Sequence, residues 1–349
     1  MTAPAPATDL PLAALGAWLR RHVHDFDGPL QVTPLTGGQS NPTYRVNAGP
    51  HRWVLRRKPA GELLASAHAI EREYRVMRAL AATDVPVPTM HALCEDPGVI
   101  GSSFYVMDFI EGRVLADPAL PGLSKAERAE IYDAMNSVIA ALHRVDTQAI
   151  GLADYGRPTN YLARQIERWT RQYRASQGEG ERIEAMERLI EWLPAHRPQG
   201  SSGDETALVH GDFRIDNLIF HPSEPRVLAV LDWELSTLGH PLVDLAYHVM
   251  AWRVTPTEFR GLKGHDLAAL GIPLEHDYLA AYRRRTGRAA LPHWEYYQAF
   301  NMFRMAAILQ GILARARQGS AASADAERTG AQARLMAEAG WRQVLQMAG

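Results

Sequence analysis

The sequence has a single cysteine and no long hydrophobic run, and each shortage excludes a class of protein. Cys94 cannot form a disulfide within the chain, and no CxxC pair is present for zinc or redox chemistry. No stretch approaches the roughly 18 consecutive apolar residues of a membrane span. The opening residues, MTAPAPATDLPL, lack the charged and apolar regions of a signal peptide. We therefore expect a cytoplasmic protein that does not associate with membranes.

Excess charge of one sign is also missing. The formal net charge is −2 at pH 7, so no global field attracts nucleic acid or an anionic surface. We expect a small-molecule substrate and no nucleic-acid partner. The oligomeric state stays open.

The order of predicted elements indicates two lobes. The chain has 349 residues, more than the roughly 250–300 at which a single core stops growing. Strand-like runs lie within 31–57 and 103–110, separated by a helical pattern at 66–82. Beyond Gly112, helical patterns dominate around one β-rich interval, 207–232. These helical segments are 124–145, 159–176, 181–193, 241–252, 275–286, 292–317 and 323–346, and one further helix, 10–24, opens the chain.

This order predicts an α+β protein with a small β-rich N-lobe and a larger, mainly helical C-lobe. We place the N-lobe at 1–108, with a loose tail at 1–9, and the C-lobe at 109–349.

The strongest chemical signal is HGDFRIDNLIF at 210–220, followed by VLAVLDWE at 227–234. Asp212 precedes Asn217 by five residues, and a strand-like run then leads to Asp232. Phosphoryl transfer needs a carboxylate near the acceptor hydroxyl and oxygen ligands for magnesium. The spacing therefore indicates phosphoryl-transfer chemistry, whereas each residue alone fits a capped turn or a strand start equally well.

The motif resembles the HGDxxxxN catalytic loop of the aminoglycoside-phosphotransferase-like superfamily of small-molecule kinases. VLDWELSTLGHPLVDLAY and WVLRRKPAGELLASAHAIEREYRVMRAL are most similar to the kinase-like N-terminal domain of acyl-CoA dehydrogenase family members. The resemblance implies a two-lobed protein-kinase-like fold with ATP and Mg²⁺ as cofactors. It implies that Asp212 is the catalytic base, that Asn217 and Asp232 are magnesium ligands, and that His210 and Asp244 support the catalytic loop.

A glycine-containing turn lies between two strand-like runs of the N-lobe. Gly37, Gly38, Ser40 and Asn41 can bring backbone N–H groups close to a nucleotide's phosphates. Alone, this segment fits a plain hairpin turn as well, and no Walker A motif follows it. Its place before the VLR strand resembles the nucleotide-binding loop of the family.

The resemblance also assigns the phosphate clamp. Arg56 stands where the family often has lysine, and Glu73 matches the glutamate of the following helix. Arginine can clamp phosphate, although with a different geometry, and Arg57 and Lys58 are alternatives. Glu73 also fits a solvated helix face.

The segment SFYVMDFIEG, 103–112, resembles the strand and hinge between the lobes. The resemblance implies that backbone groups near Met107 and Phe109 bind the adenine edge. Without it, the segment is simply a buried strand that ends at a turn.

The acceptor is less well specified. The segment 160–176 places Arg164, Arg168 and Arg171 on one helical face, with Trp169 and Tyr173 beside them. The segment 292–317 adds Arg304, Arg315 and Arg317, together with Trp294, Tyr296 and Tyr297. Such a surface favours an anionic acceptor with an apolar part, whereas the plainer interpretation is solvated arginines and core aromatics.

Three functions stay open. The first is phosphorylation of a hydroxyl on an anionic metabolite, including hydroxyacyl thioesters, as the resemblance implies. The second is an aminoglycoside, macrolide or amino-alcohol kinase. The third is a nucleotide-binding pseudokinase module, which only the arginine at position 56 favours.

Overall fold

The computed structural model describes residues 10–35, 41–59, 70–157, 159–178, 182–199, 205–319 and 325–348. The chain forms two compact units. One contains Met1–Arg113 and Leu228–Glu234, and the other contains Val114–Val227 and Leu235–Gly349. The return of 228–234 to the first unit was not predicted. The division after residue 108 stays a prediction, and the predicted tail at 1–9 lies outside the described residues.

The first unit is built on an antiparallel sheet. Its five strands are β1 (Gln31–Pro34), β2 (Thr43–Ala48), β3 (His51–Arg57), β4 (Met90–Cys94) and β5 (Phe104–Asp108), in the order β1-β2-β3-β5-β4. Short connections join β1 to β2 and β2 to β3, which suits antiparallel pairing. The sequence did not predict β4, because the prolines that precede it excluded a helix without indicating a strand.

Two helices accompany this sheet, α1 (Leu12–His22) and α2 (Ile70–Leu80). Trp18 of α1 meets Phe104 of β5 edge to face, with ring centres 4.8 Å apart, in the core of the unit. Helix α2 packs against β4 and β5. In the register of β3 and β5, Arg56 lies directly opposite Tyr105. The packing of α2 against β5 therefore brings Glu73 of α2 close to Tyr105 and to its neighbour Arg56 of β3.

The second unit is mainly helical. Its long helices are α3 (Lys125–His143), α4 (Tyr161–Ala175), α5 (Glu184–Ala195), α6 (Pro241–Val249), α9 (Glu275–Thr286), α10 (Trp294–Arg317) and α12 (Ala333–Ala348), and its short ones are α7 (Pro256–Phe259), α8 (Leu267–Leu270) and α11 (Ala326–Gly330). Helix α10 packs against α4, α5, α6, α11 and α12. The predicted larger helical half is confirmed.

The remaining strands are short: β6 (Arg113–Val114), β7 (Ala207–Val209), β8 (Leu218–Phe220), β9 (Val227–Val230) and β10 (Thr237–Gly239). Strands β7 and β10 pair antiparallel, with Val209 opposite Thr237. The loop that carries the HGDFRIDN motif begins directly after β7, and α6 begins directly after β10. Because the pairing is antiparallel, the loop leaves β7 at the end of the pair where β10 begins, and α6 begins at the opposite end.

Two predicted helices are divided in the structure. The predicted helix 241–252 ends as α6 at Val249 and continues as a tighter turn, Met250–Trp252. The predicted helix 323–346 is α11 followed by α12. Gly330 ends α11 in close contact with Leu313, where a Cβ atom would lie 2.6 Å from that residue's Cβ. Apolar periodicity continues through both breaks, which explains why the sequence pattern did not show them.

Candidate active site

One buried carboxylate, that of Asp244, holds the start of the loop that follows β7, residues 210–217. Asp244 accepts hydrogen bonds from the backbone N–H groups of His210 and Gly211, both at 2.8 Å, one on each carboxylate oxygen. The His143 ring lies 3.2 Å from it and also contacts the Tyr282 hydroxyl. Burial alone would raise the pKa of Asp244, but His143 and the His210 N–H lower it overall. The start of the loop is therefore fixed to α6.

The turn itself needs a glycine at position 211. Gly211 has a φ of +82°, a conformation that L side chains rarely adopt. A Cβ atom there would also lie 2.7 Å from the backbone oxygen of Leu235. His210 is fully buried, and its Nδ1 accepts a hydrogen bond from the Asp212 N–H at 3.1 Å. The chain consequently reverses within two residues and presents Asp212.

The Asp212 carboxylate has three donors around it. The Tyr247 hydroxyl donates to Oδ1 at 2.5 Å, and the Arg214 Nε lies 3.1 Å from the same oxygen. The Asn217 amide donates to Oδ2 at 3.1 Å and to the Asp212 backbone oxygen at 2.8 Å. Burial, followed by the charge of Asp212, raises the pKa of Tyr247, so that its hydroxyl remains a donor. This carboxylate is oriented from both sides and is still partly exposed, with 18% of its side chain accessible.

Asn217 uses only its amide nitrogen in these contacts. Its side-chain oxygen therefore accepts no hydrogen bond from the described residues that the structure records. An amide oxygen is a suitable ligand for a hard cation such as Mg²⁺. The donor set at this residue fits the predicted metal role.

A second group of site residues lies in the first unit. The Glu73 carboxylate, which is 1% exposed, receives the Arg56 guanidinium at 3.1 Å, the Asn41 amide at 2.8 Å and the Tyr105 hydroxyl at 3.0 Å. Arg56 also donates to Asp232 Oδ1 at 2.8 Å. Glu73 is therefore not a solvated surface residue.

The charges in this group influence one another. Burial raises the pKa of Glu73 to about 7, against the lowering effect of the Arg56 charge. Burial alone would lower the pKa of Arg56, but Glu73, Tyr105 and Asp232 raise it overall, so it stays charged. Asp232 itself has a φ of +64°, an uncommon backbone conformation outside glycine that is found at functional sites.

Other predicted nucleotide contacts are only partly described. Gly37, Gly38 and Ser40 lie outside the described residues. Met107 is buried within β5, and the N–H groups of Asp108 and Phe109 donate to the backbone oxygens of Thr89 and Arg52 at 2.9 and 3.3 Å. An adenine ring at this segment would therefore have to use other backbone groups.

Comparison with known proteins identifies the family. Residues 31–300 match the family model of the phosphotransferase enzyme family, which covers well over half of the chain. The chain belongs to this family. The prediction of a phosphotransferase is thereby confirmed.

Individual relatives give finer detail. The chain is 49% identical over 317 residues to mouse acyl-CoA dehydrogenase family member 10, covering 90% of this chain but 29% of that protein. It therefore spans well under half the length of this curated relative. A solved structure from Ralstonia eutropha, provisionally described as an aminoglycoside phosphotransferase, is 57% identical, with a TM-score of 0.88 over 97% of this chain and 99% of that one.

Choline kinase from Cryptosporidium parvum has a TM-score of 0.62 at 12% identity, with 96% of this chain and 97% of that chain covered. At that identity the likeness shows the fold alone. The resemblance to acyl-CoA dehydrogenase family members and the kinase-like fold, both predicted from the sequence, are confirmed.

The predicted arginine and aromatic surface does not exist as a continuous face. Trp169 and Tyr173 are buried in the core, as are Trp294, Tyr296 and Tyr297. Arg171 pairs with Glu167, and Arg164 bonds the backbone oxygen of Arg157. The plainer interpretation is therefore correct for the aromatic residues and for these two arginines.

Arg304 is the exception, and sequence reasoning missed its contact with the loop. It is 5% exposed and donates to the backbone oxygen of Gly211, directly before Asp212. Its guanidinium lies 4.8 Å from the centre of the Tyr247 ring and 5.4 Å from that of Trp169. The Arg168 guanidinium also lies over the Trp169 ring, 5.0 Å from its centre. Arg304 therefore contacts the loop 210–217 directly, and Arg168 shares the Trp169 ring with it.

Tyr247 was also missed. It follows Asp244 by three residues on α6, which places both on neighbouring positions of one helix face. That spacing was the available signal, because a helix whose first turn holds the loop must present its next turn close to the same loop.

Proposed function

We propose that this phosphotransferase uses Mg²⁺ and ATP to phosphorylate a hydroxyl group of a small anionic metabolite, such as a hydroxyacyl thioester or a related hydroxy acid. The observation that carries the proposal is the environment of Asp212. Its carboxylate is held by Tyr247, Arg214 and Asn217 and stays partly exposed, as a base that accepts the proton of an acceptor hydroxyl must.

The cofactors follow from the family and from the ligands that the chain offers. Asn217 offers its amide oxygen, and Asp232 offers Oδ2, since its Oδ1 accepts from Arg56. Oxygen ligands of this kind suit Mg²⁺. When bound, the ion neutralises charge on the nucleotide phosphates. In the first unit, Arg56 is held charged beside Glu73 and is the side chain that we assign to the phosphates.

Two observations support an anionic acceptor. Arg304 contacts the peptide before Asp212, and among the described residues its only hydrogen-bond partner is that backbone oxygen. Burial and the positive charge of Arg304 both lower the pKa of Arg168, which indicates excess positive charge behind the loop. The relatives named as acyl-CoA dehydrogenase family members favour an acyl thioester as the source of the anion.

A nucleotide-binding module without transfer activity is the second candidate. The pairing of Arg56 with Asp232 favours it, because this contact occupies one oxygen of a predicted magnesium ligand. In that case the protein binds ATP and releases no ADP. Arg56→Lys separates the two functions: a phosphate clamp retains part of its activity with lysine, whereas a module that never turns over shows no activity in either form.

The experiment is a coupled ADP-release assay with Mg-ATP and a panel of acceptors. The panel contains 3- and 4-hydroxyacyl-CoAs, free hydroxy acids, aminoglycosides, macrolides and amino alcohols. We expect turnover with the hydroxyacyl group, loss of that turnover in Asp212→Ala, and normal turnover in Asp277→Ala, a matched change at an exposed aspartate of α9.

Each other outcome has a definite meaning. Turnover with an aminoglycoside alone would replace the acceptor class and keep the phosphotransferase chemistry. Normal turnover in Asp212→Ala would remove Asp212 as the base. Retained ATP binding without turnover on any acceptor would support the nucleotide-binding module.

A further inference from the structure

A pocket opens beside Asp212 within the second unit. It has a cavity volume of about 60 Å³ and opens to solvent, and α3, the loop 210–217, α6 with the turn that follows it, and α7 form its walls. Arg214 and Tyr247 line it, and both contact the Asp212 carboxylate. Whatever enters this pocket is therefore within reach of the predicted base.

The walls of the pocket are hydrocarbon surfaces, because the polar atoms of its aromatic side chains are already used. The Tyr132 hydroxyl donates to the backbone oxygen of Pro118 at 2.6 Å, and the Trp252 indole donates to that of Pro273 at 2.8 Å. The Tyr247 hydroxyl bonds Asp212. Arg304 lies over the Tyr247 ring, so an occupant meets the ring surfaces that these contacts leave uncovered.

His248, also in the wall, is engaged in the same way. Its Nε2 lies 2.7 Å from the Tyr278 hydroxyl, and it also bonds the backbone of Phe213. Burial lowers its pKa to about 4, so it is uncharged near neutral pH. Met135, Met250 and Phe259 complete the apolar wall. These aromatic and apolar side chains offer an occupant neither a charge nor an unused donor.

The charged residues of the lining are Arg214, Asp216 and Arg260. Asp216 lies 3.5 Å from Arg214 and 2.7 Å from Arg260, whose side chain is 55% exposed. The one carboxylate of the lining therefore has two arginine partners. A polycationic acceptor would have to displace both arginines in order to reach the Asp216 carboxylate. An uncharged chain meets no such cost, since it can contact the apolar side chains and leave these ion pairs intact.

We infer that this pocket holds the hydrocarbon chain of the acceptor, next to the carbon that carries the hydroxyl group, and thereby sets selectivity for chain length. The inference rests on the proposed function for its choice of occupant. Burial of each additional methylene is worth about 0.8 kcal/mol, or about fourfold in kcat/KM. The pocket should therefore produce a rising series of kcat/KM values until it is filled.

The test compares 3-hydroxy acids and their thioesters from butanoyl to decanoyl at saturating Mg-ATP. Ala251, which is half-buried in the lining, is changed to Phe to fill the pocket, or to Leu to fill it partly. Ala268→Phe, at an exposed position of α8, is the matched control. We expect about a fourfold rise per methylene in the wild type and in the control, a smaller rise in Ala251→Leu, and a flat series in Ala251→Phe.

A second measurement separates this inference from the proposed function. Calorimetric titration with 1-alkanols from butanol to octanol, without nucleotide, reports occupancy of the pocket independently of phosphoryl transfer. Affinity that rises with chain length and is lost in Ala251→Phe supports the pocket, even if no acceptor is phosphorylated and the proposed function fails. A chain-length series of turnover that Ala251→Phe leaves unchanged, or turnover that does not depend on chain length, would overturn the inference while leaving the phosphotransferase in place.

Discussion

The buried carboxylate of Asp244 gives the sharpest prediction for the loop 210–217. Its two oxygens each accept one backbone N–H, from His210 and Gly211. In Asp244→Asn, one of these oxygens becomes an NH₂ group, which faces a backbone donor instead of accepting from it. Hydrogen bonds to a charged group are worth about 1.5–3 kcal/mol, and a buried donor left without a partner costs about 1–3 kcal/mol.

These two contributions overlap, so we expect Asp244→Asn to lower the free energy of unfolding by about 3 kcal/mol. A domain of ordinary stability, about 5–15 kcal/mol, still folds after such a loss. Turnover should fall more steeply than stability, because the displaced peptide is the one that precedes Asp212. The assay is urea unfolding followed by circular dichroism, combined with ADP release from the same preparations.

The matched control is Asp266→Asn. Asp266 also accepts a backbone N–H, from Ala269 at 2.9 Å, but it is an exposed helix cap. Asparagine caps helices as well as aspartate does, so this change should cost less than about 0.5 kcal/mol. If Asp244→Asn costs no more than Asp266→Asn and leaves turnover intact, Asp244 does not hold the loop.

The same carboxylate has a defined pH dependence. Because the pKa of Asp244 is lowered in the folded protein, its contribution is complete above its ordinary value of 3.8 and is lost as the pH falls through the lower folded pKa. The stability difference between the wild type and Asp244→Asn should therefore be constant from neutral pH down to this value and narrow only below it. A difference that narrows already above it would contradict the assignment.

The remaining predictions concern α6. Tyr247→Phe removes the hydroxyl that donates to Asp212 and should lower kcat about tenfold with little change in the KM for ATP, because a hydrogen bond to a charged group is worth about 1.5–3 kcal/mol. The control Tyr296→Phe, which removes a buried hydroxyl elsewhere, should leave kcat unchanged. Equal effects of the two changes on kcat would refute the role of Tyr247 in orienting Asp212. Burial lowers the pKa of His248 to about 4 from 6.5, so the wild type should lose about 2 kcal/mol of stability between pH 7 and pH 5. His248→Gln should not show this loss in urea unfolding, and an equal loss in both proteins would place the titrating group elsewhere.

The sequence predicted most of the fold because its signals are local. The strand-like composition of the runs that became β2, β3 and β5, and the helical periodicity of α2, α3, α4, α9 and α10, depend on side chains within one turn or one strand. The family motif adds the order of Asp212, Asn217 and Asp232, which is also written within a short segment. The predictions that failed are those at which the periodicity continues through a break, as between α11 and α12.

Local sequence patterns did not predict the contacts between segments that are distant in sequence. Glu73 fits a solvated helix face by its neighbours, and only the packing of α2 against β5 shows that Arg56 and Tyr105 bury it. The same limit applies to Asp232, because its positive φ depends on how the chain turns after β9 and not on the side chain's chemistry. Burial and partners, rather than residue type, distinguish these residues.

Arg304 shows why such contacts matter for function. By sequence it is one arginine among several in α10, and periodicity predicts only that its neighbours are apolar. The structure buries it, places it over two aromatic rings and directs it to the backbone oxygen of Gly211. A buried cation without a carboxylate partner is costly, so its position beside the loop needs a compensating role. The donation to Gly211 provides part of it, and an anionic acceptor at the proposed site would provide the rest.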